Sequence, residues 1–332
     1  MTRPRVLVVD DSAFARMVIT RLLRASGKLD VIGTATDGQT ALEKIAELDP
    51  DVVTLDLTMP DVDGLAVLRK LAGRPRPRVV VVSISGIDSE LGAEALALGA
   101  VDLVAKPTAL ASDRLREIGD ELVAKLLAIG AERSGIPARD ATVQRGAELV
   151  MIGTSTGGPA ALNRVLATLP ENFAAPITIA LHIPVGYTGA IAERLDRISR
   201  LHVVEASDGL VLTPGLVVLA RGGSHLRVHR RDGRLVTEVG SLPHRPFKPS
   251  VDELFLSGAA AVGRGALGVV LTGMGDDGLV GARAIAAAGG SLLTESATTC
   301  VVHGMPRCVD EAGLGAAVAP IDKIAEEIVR RV

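Results

Sequence analysis

Leu149-Val150-Met151-Ile152-Gly153-Thr154-Ser155-Thr156-Gly157-Gly158 carries an apolar run into a glycine turn, and Pro159-Ala160-Ala161-Leu162 follows as a helix opening. Run, turn and helix in that order predict the strand-to-helix corner of a parallel α/β sheet. Glycines let the backbone fold tightly there and hold the hydroxyl of Ser155 out from the sheet end. The helix N-terminus beside it favours negative charge. The P-loop pattern fails, because no lysine follows the glycines. The dinucleotide fingerprint fails too, since its first two glycines must stand one residue apart. A serine nucleophile and an anion site with a Ser/Thr helix cap both remain open at this corner.

At 332 residues the chain is too long for one ordinary domain, and two are expected. Hydrophobic residues make up 48% and aromatics only 2%, with no Trp and 36 glycines. Small aliphatics in that proportion suit parallel sheets, whose buried strands read as Val/Ile/Leu runs. A net charge of −3 gives no electrostatic case for nucleic acid or an anionic membrane. Cys300 and Cys308 are too few and wrongly spaced for a zinc site or a disulfide framework. The first short apolar run, Val6 to Val9, meets Asp10-Asp11 at once, and no run reaches 18 residues. No signal peptide, membrane insertion or nucleic-acid partner is expected, and a cytoplasmic, monomeric protein is.

Residues 1–125 alternate strand and helix patterns with short connections. Strands are expected at Arg5–Val9, Val31–Thr34, Val52–Leu55, Val79–Val82 and Val101–Val104, with amphipathic helices between them. Five βα units imply a doubly wound, flavodoxin-like sheet with ligands at the carboxyl ends of its strands. After a helix-like stretch, Asp113–Ile129, the Gly/Ala/Arg/Asp-rich segment to Ala147, interrupted by Pro137, reads as a linker. The expected division is 1–125, a linker at 126–147, and 148–332. The second domain is expected to be a mostly parallel, Rossmann-like α/β sheet. Its strands fall at Leu149–Ile152, Ile177–Leu181, Leu216–Leu219 and Leu267–Leu271, and a hairpin turns at Asp232-Gly233.

Asp10 and Asp11 end the first strand and Asp56 ends the third, so three carboxylates converge at one sheet edge. A divalent cation offsets their repulsion, and Mg²⁺, a hard ion taking carboxylates and water, fits. Ser83 ends strand four and Lys106, before Pro107, ends strand five. A hydroxyl and an ammonium would thus face the acids, ready for a phosphoryl group. This pattern resembles the receiver domain of two-component response regulators across the whole first domain. The resemblance implies that Asp56 accepts phosphate from a histidine kinase, with Mg²⁺ on Asp11, Asp56 and the Thr58 carbonyl and with Asp10 assisting. Leu103 departs from it, standing where many receivers carry an aromatic switch residue.

Ser155 needs a base to take its proton and an acid to orient that base. Of six histidines, His182 directly follows the run Ile177–Leu181 and should share a sheet edge with Ser155. His225 and His229 alternate with Leu226 and Val228 and are expected at the surface. Asp277, in Leu271-Thr272-Gly273-Met274-Gly275-Asp276-Asp277-Gly278, is the candidate acid, with a helix cap as its plainer role. Two chain orders compete, Ser155…His182…Asp277 and Ser155…Asp277…His303. Strand-end geometry favours the first.

The second domain resembles the catalytic domain of the chemotaxis protein-glutamate methylesterases. The likeness runs through Gly153–Pro159, His182–Thr188, Ala192–Asp196, Pro249-Ser250-Val251-Asp252, Leu271–Gly278 and Gly304–Arg307. An N-terminal receiver is that family's arrangement. The resemblance implies a triad of Ser155, His182 and Asp277, with Thr156 and the Met274 backbone supporting the base or the oxyanion. It also implies hydrolysis of glutamyl γ-methyl esters and deamidation of glutamines on methyl-accepting chemoreceptors, with no cofactor for the esterase chemistry. Activation would follow phosphorylation by a chemotaxis-type kinase, the unphosphorylated receiver covering the Ser155 cleft. His303, Arg221 and Pro246-Phe247-Lys248 depart from the family pattern. The competing expectations are the same hydrolase in a non-chemotactic array, or a receiver-controlled scaffold without catalysis.

Overall fold

The five apolar runs of the first half become, with their helices, β1 (Arg5–Val9), α1 (Ala13–Ala25), β2 (Asp30–Ala35), α2 (Gly38–Leu48), β3 (Val52–Leu55), α3 (Gly64–Leu71), β4 (Arg78–Ser83), α4 (Ser89–Ala97), β5 (Asp102–Ala105) and α5 (Ser112–Gly130). These come from a computed structural model that describes residues 3–74, 76–83, 89–106, 112–130 and 145–332. The chain divides into two compact units, Met1–Glu132 and Arg133–Val332.

In the first unit all strand pairs are parallel, in the order β2-β1-β3-β4-β5. Val6 to Val9, Val52, Val53, Leu55 and Val79 to Val82 are buried, as strands covered by helices on both faces must be. Ser12, Asp37 and Asp63 cap α1, α2 and α3 by accepting the amides of Ala15, Thr40 and Ala66. The order reverses between β1 and β3, which opens a crevice at their carboxyl ends. α5 runs through Gly130, as the helix-like stretch Asp113–Ile129 suggests, and takes in residues 126–130, which the expected division assigns to the linker. The next residues, 131–144, and Pro107 lie outside the described residues.

The second unit comprises β6 (Leu149–Thr154), α6 (Gly158–Thr168), β7 (Ile177–Leu181), α7 (Thr188–Ile198), β8 (His202–Glu205), β9 (Leu216–Leu219), β10 (His225–Arg231), β11 (Arg234–Gly240), α8 (Val251–Val262), β12 (Ala266–Val270), α9 (Leu279–Ala287), β13 (Ser291–Glu295), α10 (Met305–Glu311), β14 (Ala317–Ala319) and α11 (Ile321–Val329). Its seven-stranded sheet, wholly parallel, runs β14-β13-β12-β6-β7-β9-β8, with β10 and β11 as a separate antiparallel hairpin. Because β6 comes first in sequence yet lies mid-sheet, the order reverses at β6, and the crevice there faces β12 on one side and β7 on the other. Leu149, Val150, Met151 and Ile152 are wholly buried beneath it. Among the described residues, no helix is long and apolar enough to cross a membrane.

Candidate active site

Ser155, His182 and Asp277 follow three adjacent strands. β6 and β7 pair Thr154 with Leu181, and His182 N donates to Thr154 O (3.1 Å), which locks the two strand ends together. On the other side Ser155 N donates to Thr272 O (3.1 Å). The corner demands its glycines. Gly157 holds φ +84° as the cap of α6. At Gly273 a Cβ would meet Ser155 Cβ at 2.9 Å, so only glycine lets the β12 loop approach the serine this closely. Ser155 is 7% exposed and Thr156 fully buried. Thr272, beneath them, donates its hydroxyl to Thr156 O (2.9 Å) and accepts the Val302 amide (3.0 Å).

His182 Nε2 lies 2.8 Å from Asp277 Oδ2. Asp277 also accepts from Val251 N (2.8 Å), Ser250 Oγ (2.9 Å) and Asp252 N (3.0 Å), so the N-terminus of α8 converges on it. Burial would push this carboxyl upward, but the bond and charge of His182, helped by those amides, hold it below the ordinary value. An ionised carboxylate can only accept, so Nε2 carries the proton and Nδ1 keeps the lone pair. Nδ1 is buried and makes no hydrogen bond. The usual triad places the acid on Nδ1; here the carboxylate takes Nε2 and leaves Nδ1 without a hydrogen bond.

Asp277 is not the cap of its own helix. Gly278 occupies that position in α9, and Asp252 of α8 accepts the amides of Gly278 (2.9 Å) and Gly281 (2.8 Å). The two acids thus cap each other's helices. Ser250 caps α8 and also donates to Asp277. Ser250 and Asp252 fall in a segment that carries the family likeness, yet the sequence shows there only a helix-start signal, Ser-x-x-Glu over Ser250–Glu253, and no role at the site.

His303, the histidine of the other chain order, makes no hydrogen bond to Ser155, His182 or Asp277, although Gly273, its bridge partner, lies against Ser155. It bridges in parallel to Gly273, and its Nε2 is 3.6 Å from Asp310 Oδ2. His225, expected at the surface, is fully buried, whereas the His229 side chain is 47% exposed. Ser250 N donates to His225 Nδ1 (3.2 Å) and His225 Nε2 donates to Pro243 O (2.9 Å), because that end of the hairpin packs against the segment entering α8. Burial holds its imidazole below the ordinary pKa.

In the first unit, Asp10, Asp11 and Asp56 offer carboxylate oxygens within 4.8 Å of one another, the first and last buried and Asp11 exposed. Lys106 Nζ reaches Asp56 Oδ2 (2.6 Å) and Asp10 Oδ2 (3.0 Å). Burial first, and then repulsion from a neighbouring acid, raises Asp10 and Asp56 above the ordinary carboxylate range even with Lys106 present. Burial works against the charge of Lys106, yet its bonds to Asp56 and Asp10 hold it above its usual value. Ser83 is buried at the end of β4, in register with Ala105. Three hard oxygen donors whose charge one ammonium does not balance fit a divalent cation such as Mg²⁺. Leu103 is buried in β5.

The model of the CheB methylesterase family matches residues 150–328, and that of the response regulator receiver domain matches residues 6–118. A protein-glutamate methylesterase/protein-glutamine glutaminase of Myxococcus xanthus is 54% identical over 99% of this chain and 98% of its own length. One from Symbiobacterium thermophilum is 42% identical over 99% and 97%. The crystal structure of the Thermotoga maritima CheB methylesterase catalytic domain, 38% identical, covers 55% of this chain and 97% of its own at a TM-score of 0.54. The chain therefore belongs to the CheB methylesterase family and carries a response regulator receiver domain ahead of the family's catalytic domain.

Proposed function

We propose that the protein hydrolyses glutamyl γ-methyl esters, and deamidates glutamines, on methyl-accepting chemoreceptors, and that phosphorylation of its receiver raises the rate. The observation that carries the reading is the 2.8 Å bond from His182 Nε2 to Asp277 Oδ2, at the sheet edge where Ser155 is presented. The names of its relatives include both activities. In the acylation step, Ser155 Oγ attacks the ester carbonyl carbon while His182 Nδ1 takes the hydroxyl proton. Asp277 stabilises the imidazolium. Thr156 and the Met274 N–H support the oxyanion, a role typically worth about 10²–10³ in rate per donor. The proton on Nδ1 passes to the departing methoxide, which leaves as methanol; from a glutamine the leaving group is ammonia. The same nitrogen then deprotonates water, and deacylation frees glutamate and Ser155. General-base help of this kind contributes about 10²–10⁴.

In the receiver, Asp56 accepts the phosphoryl group from a chemotaxis-type histidine kinase. Asp10, Asp11 and Asp56 would hold Mg²⁺, whose charge offsets the crowding of carboxylate and phosphate oxygens. Lys106 and Ser83 contact the phosphoryl oxygens, and a phosphate at Asp56 adds roughly two negative charges. The receiver occupies residues 1–125 and the catalytic domain 148–332. The test is methanol release from methylated receptor membranes with and without a small phosphodonor. Turnover should rise with the donor, lose that rise in Asp56→Asn, and vanish in Ser155→Ala. Esterase activity surviving in Ser155→Ala would overturn the nucleophile, and failure of a serine-directed acylating reagent to label Ser155 would favour a non-catalytic scaffold.

A further inference from the structure

One face of the His182 imidazole is covered by Phe247. The ring centroids are 4.3 Å apart and the planes lie at 13°. Phe247 is 37% exposed and the His182 side chain 7%, so the phenyl ring stands between base and solvent. The loop carrying it is strapped down. His225 spans its two ends through Pro243 O and Ser250 N. Gly223 N donates to Lys248 O (3.0 Å) in its middle. Arg245 donates from Nε (2.9 Å) and Nη2 (2.7 Å) to Glu253 Oε1, and Arg227 holds the other oxygen of that carboxylate (3.0 Å). Ser250, where the loop enters α8, reaches Asp277 as well. Loop, acid and base are therefore built on one set of anchors.

Two physical effects follow from a stacked ring at this distance. It restricts rotation of the imidazole about its ring torsion, which is otherwise broad. It also sets a negative π face against a group that becomes cationic in each half-reaction. An aliphatic side chain would give the cover without the π face.

We propose that Phe247 is a positioning residue for the ester hydrolysis: its ring keeps His182 Nε2 on Asp277 and Nδ1 available to Ser155, and its π face stabilises the imidazolium. The role rests on the esterase reading given above. The test uses the full-length protein with a small phosphodonor, following methanol release from methylated receptor membranes. Phe247→Leu should lower kcat about fivefold with KM little changed, whereas Phe247→Tyr and Phe247→Trp should stay within about twofold of the unsubstituted protein. Matching thermal unfolding midpoints across the series would place the loss in the site and not in folding. Wild-type kcat in Phe247→Leu, a loss confined to KM, or folded Tyr and Trp variants no better than Leu would each overturn the role while leaving the esterase standing. Absence of methanol release from the unsubstituted protein would overturn the esterase itself, and this role with it.

Discussion

The two sites occupy equivalent positions, each at the carboxyl edge of a parallel sheet where the strand order reverses, and they treat buried carboxylates in opposite ways. Asp277 receives four donors, among them Ser250 Oγ and two α8 amides, and its carboxyl is held below the ordinary range. Asp10 and Asp56 share one ammonium among three acids and are held above it. The difference teaches how one architecture serves two tasks. A saturated acid is preorganised and needs nothing further to orient a base. An undersupplied cluster is unstable as it stands and responds to whatever positive charge arrives, which suits a switch.

The sharpest way to break the contrast is at the saturated acid. Asp277→Asn should cut kcat by about 10⁴, because an amide cannot accept from both Nε2–H and three neighbouring donors and still fix the same tautomer. A loss below about tenfold would mean that the acid orients nothing. The converse test supplies what the cluster lacks. Mg²⁺ at a hundred times its Kd should stabilise the receiver by about 2.7 kcal/mol, read as a calorimetric shift, with no comparable gain for the catalytic domain. Asp11→Asn should remove most of that shift.

The smallest effect concerns pH. A carboxyl raised by folding, as in Asp10 and Asp56, weakens the folded state once both forms ionise, and acidification through the folded pKa relieves the cost. Asp277 runs the other way, since its contribution is present above the ordinary carboxylate value and is lost as pH falls through its depressed one. In Mg²⁺-free buffer at neutral pH, Asp56→Asn should therefore raise the receiver's unfolding midpoint slightly, and the gain should shrink in acid. An unchanged or lowered receiver midpoint would erase the proposed opposition between the two sites.

Much of this is legible in the sequence because parallel strands announce themselves. Largely apolar runs leading into Asp10, Asp56, Ser155 and His182 place those residues on sheet edges by pattern alone. β13 and β14 give no such signal: Ser291–Glu295 carries polar residues at both ends, and Ala317–Ala319 is too short to show a pattern. His225 defeats the pattern because alternation places residues on a face without saying what later packs there. Its burial comes from the segment entering α8, about twenty-five residues downstream. The partners of Asp277 are hidden for the same reason. A cap normally serves its own helix, and nothing local shows that Asp277 and Asp252 have exchanged theirs.

That exchange gives the molecule a readout of its own. The amides of Val251 and Asp252 are sealed by Asp277, and those of Gly278 and Gly281 by Asp252. Hydrogen exchange at these four positions should rise together whenever Asp277 shifts, with no substrate present and no turnover required. A chemist wishing to know whether phosphorylation at one sheet edge tightens or loosens the machinery at the other would need only to watch four protons.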